Sequence, residues 1–483
     1  MTTGLTHDGI TEGLRGLGLK QGDTVLLHSS LASLGHVAGG AETVVDAFLS
    51  VLGAEGTLAV PTFGALGIIT DVVKRRADAV RSVHPKASVA ALGHHAEMLC
   101  HDHWKAELAH GPETPYTRIA ELDGYVCLLG VDQDRNTTLH TVEELARLPY
   151  LKTTNPVTFA TPEGDVTKSW PFFPGPHRDF IGLDRLLAEK GALTTGRVGN
   201  AAVRLMSVRR LLEVAGQAAR EDPAFALCDN PSCMDCLKQR AAIRRHRFAQ
   251  EAFSLSVASS LAGRYAEEIA AACQLAGIGA VELDALNGRP VSMLGMQTVE
   301  RAVALLREEG IELSGLRLPC VPKDLARVIE LADRLQIDRL LLPLSVNAPV
   351  HAGACEDAEL AVSFYNAFVD CDTASTIMQA VHDRGLPAGL TFSPAAFARA
   401  GEKPFLTSYR RKLRHHIDQL EIEDATFDGT PQVLARGNGE IKELMSVLRC
   451  RRFAGWFVLG AGNRAVGSLE DAVGRLETLL NEI

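Results

Sequence analysis

From residue 253 onward the chain repeats one pattern, a short apolar run followed by a stretch of helical periodicity. The apolar runs cover 253–257, 280–283, 316–318, 339–342, 361–364, 388–391, 419–422 and 455–458. Helical spacing marks the segments between most of them, such as 266–275, 298–309 and 323–335. Strands separated by helices pair in parallel, because a crossover returns the chain to the same end of the sheet. Eight such units in about 235 residues fit a closed (β/α)8 barrel. The stretch between Leu342 and Ala361 reads as too short for a full helix, so one unit is expected to be irregular.

A barrel accounts for only half of 483 residues, so a second domain precedes it; the boundary is placed at 1–240 and 241–483. Hydrophobic residues at 46% and charged residues at 22% suit two buried cores. The net charge is −10, and the densest basic run is Arg244-Arg245-His246-Arg247, read as a solvated helix face or an interdomain joint. Nucleic acid is excluded as a partner, since phosphate binding needs clustered cations. Residues 1–20 lack the apolar core of a signal peptide, and no run reaches membrane-spanning length. The expectation is a cytoplasmic protein with no membrane partner. Homo-oligomerisation is left open.

The first half is organised around residues 126–145. Val126 to Leu129 reads as a buried strand that stops at Gly130. A polar loop follows, and a helix begins near Leu139. His140 and Glu143 are three apart and share a helix face. A carboxylate beside an imidazole fixes its tautomer and raises its basicity, as a general base requires. Taken alone, such a pair is most often an exposed helix turn. Upstream, a strand over 23–28 leads into a loop with His28, Ser29, Ser30, Leu31, Gly39 and Gly40, and a helix opens at Ala41. That order presents backbone N–H groups and a helix dipole to an anion. Arg81, Ser82, His84, Pro85 and Ser88 form a second polar segment, suited to clamping a phosphate or an amide chain.

These blocks, in this order, resemble the aminoglycoside 3-N-acetyltransferase family over residues 1 to about 240. The resemblance rests on Gly22-Asp23 to Ser33-Leu34-Gly35, Gly39-Gly40-Ala41, Gly56-Thr57-Leu58, Pro61-Thr62-Phe63, Arg81 to Gly93, and Asn136-Thr137-Thr138-Leu139-His140 with Glu143. It implies an α/β/α sandwich and direct acetyl transfer from acetyl-CoA to a small-molecule amine. His140 would be the general base, and Glu143 its orienting acid, with Asp179 as second candidate. Asn136, Thr137 and Thr138 would supply oxyanion donors. The Ser29–Ala41 loop and the Arg81–Ser88 segment would hold CoA. One departure bears on the acceptor. Family members with aminoglycoside substrates carry roughly two dozen residues, rich in acids and aromatics, between the equivalents of Phe63 and Gly64. Here Phe63 meets Gly64 directly, and nearby acids are few: Glu107, Glu113, Asp132 and Asp134. A smaller or less cationic amine is expected, from antibiotic resistance or natural-product biosynthesis.

The second half resembles the sugar phosphate isomerase/epimerase family, with a barrel of xylose-isomerase-like type. The motifs are 271–283, Glu421 to Ala425 and Gly437 to Ile441. Active relatives hold a divalent metal in carboxylates and a histidine. Here Tyr365-Asn366, Ser393, Glu421 and Leu459-Gly460 stand at those positions. Hard cations need several oxygen ligands, so a metal-free barrel is expected, with a second isomerase activity as the alternative. Finally, Cys228, Cys233 and Cys236 cluster in sequence. Their spacing suits zinc or a redox disulfide, and the nearest histidine for a fourth ligand is His246.

Overall fold

The N-terminal sheet has seven strands, and its register decides where polar loops can gather. In the computed structural model, which describes residues 4–173, 177–321, 324–367 and 369–483, the chain divides into two compact units, Met1–Ile243 and Arg244–Ile483. The strands of the first unit are β1 (Thr24–Ser29), β2 (Thr57–Pro61), β3 (Val80–Arg81), β4 (Val89–Gly93), β5 (Tyr125–Leu129), β6 (Thr194–Val198) and β7 (Ala201–Ser207). Their order is β6-β7-β5-β1-β2-β4-β3. The central three, β5-β1-β2, run parallel, while the flanking pairs are antiparallel.

Side-chain alternation divides the core in two. Leu26, Ala59, Val126 and Leu128 belong to one apolar cluster. Val25, Leu27, Leu58, Val60, Cys127 and Leu129 belong to the other. Helices His7–Gly16, Gly40–Leu52 and Ile68–Arg75 pack on the second face; Pro115–Glu121, Thr138–Leu145 and Val208–Glu221 pack on the first. Residues 198–202 form a hairpin corner. Gly199, at φ +56°, turns the chain from β6 into β7.

The second unit closes eight parallel strands into a barrel: Ser254–Ala258, Ala280–Leu283, Glu312–Arg317, Arg339–Pro343, Ala361–Tyr365, Ala388–Phe392, Ile417–Ile422 and Trp456–Leu459. The unit expected to be irregular is not: helix Ala348–Glu356 fits between its strands, with a proline in the first turn. The irregular connection follows Ala388–Phe392, where Pro394–Arg399 gives way to a π-helical stretch, Pro404–Leu413. Helix Leu325–Arg334 fills the segment read as 323–335; Lys323 lies outside the described residues. Among the described residues no helix is long and apolar enough to cross a membrane.

Gly130 ends β5 at φ +70°, and its carbonyl accepts a hydrogen bond from Ser33 Oγ at 2.8 Å. A Cβ there would lie 2.4 Å from Ser33 Cβ. Gly130→Ala is therefore expected to destabilise the protein by about 1–3 kcal/mol, read as a lower urea midpoint.

Candidate active site

Three loops leave the carboxyl ends of β5, β1 and β2, which lie side by side. Helix Gly40–Leu52, after β1, packs on one face, whereas Pro115–Glu121 and Thr138–Leu145, flanking β5, pack on the other. Open α/β sheets bind ligands in the crevice that such a reversal opens. Short bonds tie the loops together: Ser30 N–H donates to Leu129 O at 2.9 Å, and Ser33 Oγ donates to Gly130 O.

His140 stands in the first turn of Thr138–Leu145. Its Nδ1 lies 2.7 Å from Glu143 Oε2, the helical spacing having brought both onto one face. Glu143 is fully buried, whereas the His140 side chain keeps 26% exposure. The other carboxylate oxygen, Oε1, accepts from Tyr150 Oη at 2.8 Å and from Arg178 Nε at 2.7 Å. Burial alone would push the Glu143 carboxyl up; the hydrogen bond and charge of His140, with the Arg178 guanidinium, outweigh it and hold the group below the ordinary range. The imidazole stacks on Phe173, with ring centroids 3.9 Å apart, and meets the edge of Phe180 at 5.5 Å. A second acid, Glu144, points away and takes both the backbone N–H and the ring nitrogen of His110.

Of the two acids expected to orient His140, Glu143 is in place and Asp179 is not. Asp179 is no partner of His140: its N–H donates to Ala226 O, and its Oδ1 accepts from Gly182 N–H ahead of helix Leu183–Glu189. Residues 174–176 of that loop lie outside the described residues. Tyr150, Phe173 and Arg178 carried no local signal, since each reaches the site through tertiary packing.

Other expected site residues face inward. Asn136 is buried; its Nδ2 donates to Gln133 Oε1 and its Oδ1 accepts from Thr138 N–H, so it shapes the helix start and is not free to meet a ligand. Thr137 Oγ1 lies 3.3 Å from His28 Nε2. Thr138 is buried, and its hydroxyl has no protein partner. Ser82 accepts from Val89 N–H and pairs with His103 Nδ1. His84 accepts from the amides of Lys86 and Ala87, stacks on His103 and meets the edge of Trp170. These two therefore pack the core next to β4, whereas Arg81, at the edge of the segment, is exposed. Its guanidinium is oriented by Thr62 and by Ser88 Oγ at 3.2 Å. Pro85, between them, is half-buried.

A cavity of about 630 Å³ opens beside the β1 loop, lined by Ser29, Ser30, Leu31, Gly40 and Ile68, among others. Gly39 caps the adjoining helix in a left-handed conformation, and a Cβ there would lie 2.3 Å from Thr43 Oγ1. Ala41 lies buried in the first turn of that helix.

Two further polar groups stand apart from this crevice. His177, Cys228, Cys233 and Cys236 place one ligand atom each within 4.8 Å of the rest. His246, the nearest histidine in sequence, is not among them. At the barrel mouth, a cavity of about 380 Å³ is lined by Asp284, Arg317, Tyr365, Asn366, Ser393 and Glu421, among others. Arg317 Nη1 donates to Glu282 at 3.1 Å and to Glu421 at 2.6 Å, and its guanidinium lies over the Tyr365 ring at 4.1 Å.

The sequence profile of a family described as aminoglycoside 3-N-acetyltransferase matches this chain over residues 26–66 and 63–219. Aminoglycoside N(3)-acetyltransferase IV of Salmonella sp is 32% identical over 231 residues, covering 44% of this chain and 87% of that protein. Aminoglycoside N(3)-acetyltransferase VII of Streptomyces paromomycinus is 35% identical over 181 residues, 30% of this chain; the match spans 62% of that relative's length. Among solved structures, the apoenzyme of aminoglycoside acetyltransferase AAC(3)-IVa aligns at 30% identity with a TM-score of 0.45, over 50% of this chain and 99% of its own.

The inward-facing histidines make a pH prediction. Burial pushes the imidazoles of His28, His84 and His103 down to about 3, 2 and 4. Below 6.5 the unfolded chain takes up protons that these folded sites refuse, so stability falls as pH drops from 6.5 toward 3. Glu143 adds to the loss at the lower end, because its depressed pKa contributes stability only while it is ionised. His28→Gln is expected to reduce the slope of unfolding free energy against pH, from urea titrations across this window, by up to about 1.4 kcal/mol per pH unit.

Proposed function

The chain belongs to the aminoglycoside 3-N-acetyltransferase family, a family of acyltransferases, and from that premise we propose that it transfers acetyl from acetyl-CoA to a small-molecule amine. The observation that carries the reading is the 2.7 Å pairing of His140 Nδ1 with a buried carboxylate. With Nδ1–H donating to Glu143, Nε2 is left as the basic nitrogen. It accepts a proton from the acceptor nitrogen as the nitrogen lone pair attacks the thioester carbonyl carbon. The C–N bond forms, the tetrahedral oxyanion collapses, the C–S bond breaks, and the leaving thiolate takes the proton back from the imidazolium. Glu143 steadies that imidazolium, and Arg178 keeps Glu143 ionised. The cavity beside Ser29, Ser30 and Gly40 suits CoA, at the mouth of a helix whose dipole favours its phosphates.

For the acceptor, the connection after β2 supports a smaller or less cationic amine than an aminoglycoside. Residues 64–68 are exposed, short and without an acid. The family match also breaks into its two stretches here, at 63–66. In the barrel, Arg317 supports the metal-free reading. The Arg317 guanidinium already pairs with the carboxylates of both Glu282 and Glu421, so a divalent cation would have to displace it to use them as ligands.

The test is release of free thiol from acetyl-CoA across an amine panel running from aminoglycosides to monoamino sugars. Transfer is expected with the smaller acceptors. His140→Ala is expected to lower kcat by about 10²–10⁴-fold with the KM for acetyl-CoA nearly unchanged. Glu143→Gln should show a smaller loss and a shifted acidic limb of the pH profile, the limb on which a general base becomes protonated. Absence of transfer to every amine, despite measured CoA binding, would overturn the assignment.

A further inference from the structure

We propose that His177, Cys228, Cys233 and Cys236 bind a structural zinc ion, and that this ion fixes the turn that delivers Arg178 to Glu143. The four residues come from two separate places in the chain. Cys228, Cys233 and Cys236 surround the start of helix Met234–Phe248, and His177 arrives from a loop 51 residues upstream of Cys228. His177 Nδ1 lies 3.3 Å from Cys236 Sγ and 3.3 Å from Cys233 Sγ. All four ligand atoms fall within 4.8 Å of one another. Zinc bonds of about 2.3 Å to sulfur and 2.0–2.1 Å to nitrogen, in a tetrahedron, put neighbouring ligand atoms roughly 3.5–3.8 Å apart. The cluster is therefore already close to the geometry zinc imposes. Three cysteines and one histidine fill four positions with soft and borderline ligands and leave none open, the pattern of a structural site.

The scaffold around the cluster is built to hold it. Cys233 N–H donates to Asn230 O, and Leu237 N–H donates to Cys233 O, so the turn between Cys228 and Cys236 is bonded on both sides. Arg240 reaches back to the carbonyls of Leu227 and Cys228. Zinc with three thiolates carries a net negative charge. Cys236 sits in the first turn of a 15-residue helix, where the dipole favours that charge.

The link to catalysis runs through one residue. Arg178 follows His177 directly; its Nη1 donates to His177 O at 2.7 Å and its Nε to Glu143 at 2.7 Å. Asp179 N–H donates to Ala226 O, two residues before Cys228. A ligand bond to His177 therefore holds the backbone from which the Glu143 counter-ion extends. Arg178 is a positioning residue, and the metal acts on His140 only through it.

Elemental analysis of the purified full-length chain is expected to find close to one zinc per molecule. Cobalt exchanged into the site should give visible d–d bands and a near-ultraviolet thiolate charge-transfer band. His177→Ala should lose both signals, while His177→Cys, which restores a fourth soft ligand, should retain them. These readouts do not depend on acetyl transfer. Less than a tenth of a zinc per chain after growth in zinc-supplemented medium, with no cobalt bands, would overturn the site, as would a disulfide among the three cysteines in native protein. For the link, Arg178→Met and removal of zinc should each lower kcat for acetyl transfer while leaving the KM for acetyl-CoA nearly unchanged. An unchanged kcat with zinc removed would overturn the link alone.

Discussion

Everything in the candidate active site depends on keeping one carboxylate ionised away from water. Burying an unpaired charge costs several kcal/mol, so Glu143 persists as an anion only because three donors surround it. His140 comes from the same helix turn, Tyr150 from the chain just beyond that helix, and Arg178 from a loop 35 residues downstream of Glu143. None of the three is optional in that sense. If Arg178 is withdrawn, burial drives the carboxyl toward its neutral form, and a neutral acid no longer favours the imidazolium. The geometry of the base is thus set by long-range folding, even though its two central residues are near neighbours in sequence.

How much was legible follows from the range of each interaction. His140 with Glu143 is an i,i+3 pair, and periodicity alone predicts that they meet. The barrel strands were equally readable, because each is a short apolar run between helical stretches. Arg178 was not readable. Sequence logic looks for an acid as a histidine's partner and so points to Glu143 first and Asp179 second; Asp179 instead accepts from Gly182 N–H, and its neighbour Arg178 reaches inward to Glu143. Ser82 and His84 failed for a related reason. Polar residues near an arginine look like a phosphate clamp, but β3 and β4 pair antiparallel there, and the hairpin turns both side chains toward His103. In the cysteine cluster, the helix carries His246 about three turns beyond Cys236, whereas His177 arrives from another part of the chain.

The family relationship covers the first unit, so the two units call for different kinds of argument. In the first, residues 26–66 and 63–219 match the family profile in chain order, and the two stretches meet at the short connection after β2. In the second, the fold follows from strand and helix periodicity, and the polar mouth must be read from its own chemistry. That mouth retains the carboxylates Glu282, Glu421 and Glu423, and burial and the nearby Glu421 push Glu423 up to about 7.

Arg317 gives that chemistry an unusual permanence. A metal ion in such a place equilibrates with its surroundings, so occupancy follows supply, and chelators or competing cations empty it. A guanidinium joined to the backbone has no dissociation constant. Its charge is present in every copy of the protein from the moment of folding, and its pKa, raised further by the flanking carboxylates despite burial, leaves it protonated throughout the physiological range. The cation that pairs with Glu282 and Glu421 is thereby part of the polypeptide itself.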